Sequence, residues 1–426
     1  MRVCDRRADA PLPGPANDVV EVVRGADGPE LLAGVDLVVP SPGVSADAAI
    51  LVAAGRAGIP VRSEIEVAAA AIDVPLIAIT GTNGKSTTTS LVGDMLEAAG
   101  NKVFTGGNLG TPLIDAAGGS HDVVVAEISS FQLEWVESFH PQIGVLLNVT
   151  DDHLDRYRDR AHYLATKARL FARQNDGDAA VLNRDDPEVM SLLATLRAGV
   201  RTFGSAPAPD GRTGQGVAAH VAGDTIVVRE HEVERVVSLA RTTLRGQHNR
   251  ENVMAALLAT RAFGAPLEAL QAALDGFRGL RHRLETVREA AGVAYVDDSK
   301  GTNVGALLKS LEGYRDGSVV LIAGGIAKGG DYTVARELLA RKVCQLVLYG
   351  EARGFLAESW QGATETTIRE RFADAVTAAI ASARSGNVVL LSPACASMDQ
   401  FRDYAARGDA FAAIVEATCD DAVARC

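Results

Sequence analysis

The chain has 426 residues, 47% hydrophobic and only 5% aromatic, with a formal net charge of −12. That length exceeds one ordinary core, so two or three domains of an Ala/Val/Leu-rich α/β type are expected, and the acidic balance excludes nucleic acid or an anionic membrane as the main partner. The cysteines (Cys4, Cys344, Cys395, Cys419 and Cys426) are odd in number and form no CxxC pair, no apolar run is long enough to span a bilayer, and no signal peptide is visible, so a reducing cytoplasm is the expected location.

Residues 1–63 read as a small βα region, with strands at Val3–Arg6 and Val35–Val39, a Pro-Ser-Pro-Gly turn at 40–43 and a helix over Ala46–Ala57. Residues 64–279 form the largest block. Within it the apolar run Leu76–Ile79 is a buried strand ending at Thr80-Gly81. The turn Gly81-Thr82-Asn83-Gly84 delivers Lys85, Ser86 and Thr87 to a helix that carries Leu91, Met95 and Leu96 on one side and stops at Gly100. Glycines let backbone N–H groups approach a phosphate, the helix N-terminus adds positive potential, and lysine supplies a point charge. The serine hydroxyl that follows is a Mg²⁺ ligand in such loops. The GxxxxGK[ST] pattern wants glycine at 79, where this chain has Ile79, so these residues alone leave nucleotide binding and an ordinary glycine-rich turn both open.

Two further strands in this block, Val123–Ala126 and Ile143–Leu147, end in Glu127 and in the run 148–157 that contains His153. In a parallel sheet such C-terminal ends neighbour the phosphate loop, so Glu127 and His153 are candidates for one metal–nucleotide cluster. A helix is expected over His162–Gln174 with Lys167 in it, a surface loop over Gly204–Gly216, and a helix over Glu251–Phe263. The polar, glycine-containing stretch Asp275–Arg283 is a plausible hinge. Residues 280–426 alternate strands (Val293–Val296, Val319–Ala323, Val343–Tyr349, Val388–Leu391) with glycine- or serine-rich turns and helices, which reads as a separate Rossmann-like domain.

Ten segments in order, GTNGKST (81–87), GGNLG (106–110), EISSFQLE (127–134), NVTDDHLDRY (148–157), ATKARLF (165–171), GQHNREN (246–252), GLRHRLE (279–285), DDSKGTN (297–303), GGIAKGG (324–330) and SPACASMDQF (392–401), make the chain resemble the Mur ligases and the related folylpolyglutamate synthases. DDSKGTN and SPACASMDQF are most similar to the glutamate-adding branch, and the latter argues against the folate type. The resemblance implies three α/β domains: a Rossmann-like domain for the uridine substrate (1–63), a central P-loop-type ATPase domain with a mostly parallel sheet (64–279), and a C-terminal Rossmann-like domain (280–426). The family's first domain opens with a further βα unit, so a late translation start or a truncation is expected. An inactive nucleotide-binding remnant is the alternative, and intact Lys85, Glu127, His153 and Lys167 argue against it.

The resemblance further implies an ATP- and Mg²⁺-dependent monomer that joins glutamate to UDP-N-acetylmuramoyl-L-alanine through an acyl phosphate. Glutamate's enantiomers carry the same charges, so the residues leave the choice open, and the resemblance points to the D form. By the same resemblance, Gly81, Thr82, Asn83, Gly84, Lys85, Ser86 and Thr87 bind the ATP phosphates, and Asn249, Asn252, Arg283 and Asp298 the rest of the nucleotide. Ser86 and Glu127 would ligate one Mg²⁺; His153 would hold a second, with Lys167 carbamylated by CO₂ into an anionic ligand. A plain surface lysine on an amphipathic helix is the competing view of Lys167. Asn108 matches a contact to the muramoyl substrate, and Lys300, Thr302, Lys328 and Ser397 would hold the two carboxylates of glutamate, with a helix N-cap as the alternative for Ser397. Ile326-Ala327 and Tyr404 depart from the family pattern.

Overall fold

The computed structural model describes residues 2–6, 21–150, 156–208, 216–242, 244, 246–277, 279–327 and 331–423, with side chains as far as 418. They fall into two compact units, residues 1–277 and 278–426.

The first unit is built on a nine-stranded sheet in the order Val233–Ser238, Thr225–Glu230, Val217–Ala222, Gly199–Gly204, Ala179–Asn183, Ile143–Leu146, Leu76–Thr80, Val123–Glu127, Val103–Gly107. The first three of these strands pair antiparallel and the rest are parallel. Leu76–Thr80 is buried at every position because both faces of the sheet are covered, as a parallel sheet requires. Ile77 and Ile79 meet Leu91, Met95 and Leu96 of helix Lys85–Ala98 and the apolar side of Gln247–Phe263. Leu76 and Ala78 face the opposite core with Ile65, Leu113 and Leu170. Full burial of each such aliphatic side chain contributes about 1.5–3 kcal/mol, so the helix that begins at Lys85 is anchored by its own core residues.

At the start of the chain, Arg2–Asp5 pairs in parallel with Glu21–Arg24, and Ala49–Arg56 is helical. The expected strand at Val35–Val39 does not form. Only Val38 pairs, through a single bridge to Val61, while Leu37 and Val39 face solvent. Prolines at 40 and 42 end the run before a ladder can extend.

The second unit has a six-stranded sheet, ordered Glu285–Ala290, Val293–Asp297, Val388–Leu391, Val319–Gly324, Val343–Tyr349, Thr366–Ile368. The first pair is antiparallel and the others parallel, with an apolar core on each face. Among the described residues, no helix is long and apolar enough to cross a membrane.

Candidate active site

Leu76–Thr80 lies between Val123–Glu127 and Ile143–Leu146, so three strand ends open at one edge. Ile79 is level with Glu127, and Thr80 with Leu146. The turn that follows is held from the neighbouring strand end by Asn148. Its carbonyl accepts from Thr82 N at 2.9 Å, its Oδ1 accepts from Asn83 N at 2.9 Å, and its Nδ2 donates to Asn83 O at 3.1 Å. Thr82 Oγ1 accepts from Thr150 N at 3.0 Å. Gly84 closes the turn in the left-handed region (φ 85°), and a Cβ there would sit 2.2 Å from Asn252 Oδ1. The left-handed φ favours glycine, and a side chain there would have to displace the Asn252 amide. Asn252 therefore backs the loop, while its Nδ2 donates to Asn249 Oδ1 at 3.2 Å. Helix Lys85–Ala98 starts directly after, with Ser86 buried in its first turn, followed by Thr87. Lys85 Nζ lies against the loop and donates to the carbonyls of Gly81 and Thr82, both at 2.9 Å.

Lys167 is not a surface lysine. On helix Arg160–Ala168 it is 1% exposed, its Nζ donates to Gly81 O at 3.0 Å and to Thr80 Oγ1 at 3.5 Å, and it stands 4.6 Å from the centre of the Tyr163 ring. A buried ammonium needs such acceptors to offset its lost hydration. Glu127, 3% exposed, accepts from Asn108 Nδ2 at 2.6 Å through Oε1, and its backbone carbonyl accepts from Asn108 N at 2.8 Å. Its Oε2 is buried and has no hydrogen-bond partner among the described residues. An orphaned carboxylate oxygen close to a Lys-Ser phosphate loop suits Mg²⁺, a hard cation that takes oxygen ligands, with the Ser86 hydroxyl as a second donor. His153 lies outside the described residues.

In the second unit, Asp298 follows strand Val293–Asp297 and is buried, accepting from Ser310 Oγ at 2.6 Å and Ser392 Oγ at 2.9 Å. Burial raises its carboxyl to about 6, against the lowering effect of those hydroxyls and of the Arg283 guanidinium. Lys300 Nζ stands 5.4 Å from the centre of the Tyr404 ring, and Thr302 N donates to Lys300 O at 2.8 Å. Ser397 is buried and opens a turn, its carbonyl accepting from Phe401 N at 2.9 Å. The next helix begins at Tyr404, so Ser397 is not its N-cap. Lys328 lies outside the described residues.

Sequence reasoning missed Asn148, Tyr163 and a buried pair, His282 Nδ1 to Asp297 Oδ2 at 2.7 Å. Position at a strand's C-terminal end was the available signal for Asn148 and Asp297. His282, Glu285 and Asp297 place ligand atoms within 4.8 Å of one another. Glu285 Oε2 accepts from His282 N at 2.8 Å and Asp297 Oδ1 from Ser299 N at 2.8 Å, so the trio forms a hydrogen-bonded network that holds the 282 and 299 segments together.

Comparison with known proteins identifies the family. The Mur ligase middle domain family matches residues 79–260, and the Mur ligase glutamate ligase domain family matches residues 282–395. The UDP-N-acetylmuramoylalanine–D-glutamate ligase of Geobacter metallireducens is 43% identical over 98% of this chain and 92% of its own length. The protein of the same name from Geotalea daltonii is 46% identical over 90% of this chain and 83% of its own. Among solved structures, the MurF ligase of Thermotoga maritima in complex with ADP superposes with a TM-score of 0.60 at 18% identity, covering 85% of this chain and 89% of that one. The chain belongs to the Mur ligase family.

Proposed function

We propose that the chain is an ATP-dependent ligase that joins D-glutamate to the alanyl carboxylate of UDP-N-acetylmuramoyl-L-alanine, in cytoplasmic synthesis of peptidoglycan precursors. The observation that carries the reading is the buried pair Glu127 and Lys167 at a Gly-Lys-Ser loop, in a chain whose named relatives at 43–46% identity are D-glutamate ligases. The ADP complex of the Thermotoga maritima ligase supports ATP as the nucleotide.

A carboxylate is a poor acyl donor. Attack of its oxygen on the γ-phosphorus of ATP expels ADP and leaves an acyl phosphate. The glutamate amine then adds to the acyl carbon and loses a proton, and inorganic phosphate departs with the C–O bond broken. Two anions meet in the first step, so the site must supply positive charge. Lys85 and the N–H groups at the start of helix Lys85–Ala98 do this at the phosphates. Mg²⁺ held by Ser86 and Glu127 would add Lewis-acid charge there. A second ion would be held by His153 and by Lys167 as its carbamate, in which the added CO₂ turns a cation into an oxygen ligand. Asn108, fixed on Glu127, would contact the acceptor, and Lys300, Thr302, Lys328 and Ser397 would hold the two glutamate carboxylates.

Phosphate release measured with ATP, Mg²⁺, the uridine acceptor and each glutamate enantiomer tests the reading. Release is expected only with acceptor and D-glutamate together; release that ignores the acceptor, or that requires another amino acid, contradicts it.

A further inference from the structure

Two loops that carry glutamate-site candidates leave one edge of the second sheet, and a single buried side chain links them. Asp297 pairs level with Leu391, so the segment bearing Lys300 and Thr302 emerges beside the segment bearing Ser397. Arg407, in the first turn of helix Tyr404–Val423, is 0% exposed. Its Nε donates to Ser299 Oγ at 2.9 Å and its Nη2 to Ser299 O at 2.7 Å. Its Nη1 donates to Cys395 O and to Tyr349 Oη, both at 3.2 Å. Ser299 Oγ in turn donates to the Tyr404 carbonyl at 2.8 Å, closing a ring back to Arg407's own helix. A third loop, after Val319–Gly324, is tied to the second by mutual backbone bonds between Ile326 and Ala396, both 2.9 Å. Gly325 (φ 122°) sits in that junction, where a Cβ would lie 2.0 Å from Ala396 O and 3.3 Å from Arg407 Nη1.

Among the described residues these acceptors are hydroxyls and carbonyls, with no carboxylate among them. Sealing a guanidinium from water with only neutral partners is costly, and apolar residues would fill such a space more favourably. A planar fork does what they cannot: it fixes two separate backbone segments at a set spacing. A ligand with two carboxylates makes that spacing matter, because its cationic and hydroxyl partners must stand a fixed distance apart.

We infer that Arg407 is a positioning residue for the amino-acid substrate: through Ser299 and Cys395 it sets the separation between the loop of Lys300 and Thr302 and the loop of Ser397. The inference rests on the reading that these loops hold glutamate.

The test compares Arg407→Lys and Ser299→Ala with the parent chain in two assays. One is steady-state turnover. The other is exchange of ¹⁸O between the β–γ bridge and the β non-bridging positions of ATP with the acceptor alone, which reports acyl-phosphate formation without glutamate. Arg407→Lys keeps the charge but not the fork, so the KM for glutamate is expected to rise about tenfold or more. The KM for ATP and the isotope exchange should stay within about threefold. Ser299→Ala loses only the hydroxyl and should raise the glutamate KM about threefold or more. It decides the matter by itself should Arg407→Lys fail to fold. A glutamate KM within about twofold of the parent in a folded variant, or a loss shared equally by exchange and turnover, overturns the inference. Failure of the parent chain to use glutamate at all is a different result, seen before any variant is made, and removes the functional reading along with the inference.

Discussion

The Lys167 ammonium donates to the Gly81 carbonyl at 3.0 Å, which ties helix Arg160–Ala168 to the first glycine of the phosphate loop. The lysine nitrogen thus stands against the loop itself, and in the proposed mechanism its carbamate would supply an oxygen ligand there. Lys167→Ala is expected to lower kcat by about a hundredfold or more, a loss typical of removing one charge-stabilising group. Added formate or acetate should restore part of the rate. Full activity without rescue would remove Lys167 from the mechanism.

Lys85 is proposed as the point charge at the phosphates. Lys85→Ala should abolish ATP turnover, because it removes the ammonium that lies against the Gly81 and Thr82 carbonyls at the loop. Turnover retained in the variant would exclude the loop from catalysis.

Glu127 offers a buried oxygen without a partner among the described residues, and Glu127→Gln removes its charge while keeping an acceptor for Asn108. The Mg²⁺ concentration for half-maximal rate is expected to rise by about tenfold or more. An unchanged Mg²⁺ titration would exclude Glu127 as a ligand.

Asn148 anchors Asn83 through both side-chain atoms. Asn148→Ala leaves those two backbone groups to find water, a loss of about 1–3 kcal/mol. It should appear mainly as a higher KM for ATP, measured with acceptor and glutamate saturating. A normal ATP KM would show that the loop keeps its shape unaided.

Asp298 carries the pH prediction. Its carboxyl is raised to about 6 by burial, so the native chain holds that proton more tightly than the unfolded one. The contribution to stability is complete below about pH 4 and is lost as pH rises through the folded value. Asp298→Asn retains an acceptor for Ser310 and Ser392 and removes the titration. The melting temperature of the variant relative to the parent should therefore climb between about pH 4 and 6.5 and level off above that. Activity should fall if Asp298 contacts the nucleotide. A difference that stays flat across that range would contradict the shift.

Much of both sheets was legible where strands are continuous apolar runs buried at every position, as at Leu76–Thr80 and Val319–Gly324. Glu285–Ala290 was not: this edge strand mixes polar, charged and apolar residues without alternation and has a register shift between Thr286 and Arg288, so it reads like a loop. Val35–Val39 failed in the other direction, apolar in sequence but without a neighbour to pair with beyond one bridge. Individual site residues were legible where spacing carries the chemistry, as in Gly84-Lys85-Ser86. Asn148 and Arg407 were hidden, because their roles depend on partners 65 and 108 residues away in the chain.

The central claim is that the acceptor carboxylate is activated as an acyl phosphate before the amide forms. The most direct measurement uses acceptor whose alanyl carboxylate is labelled with ¹⁸O, turned over with ATP, Mg²⁺ and D-glutamate, followed by mass analysis of the phosphate released. The account predicts that each phosphate carries one oxygen from the carboxylate. Phosphate free of label, with amide product formed, would contradict it.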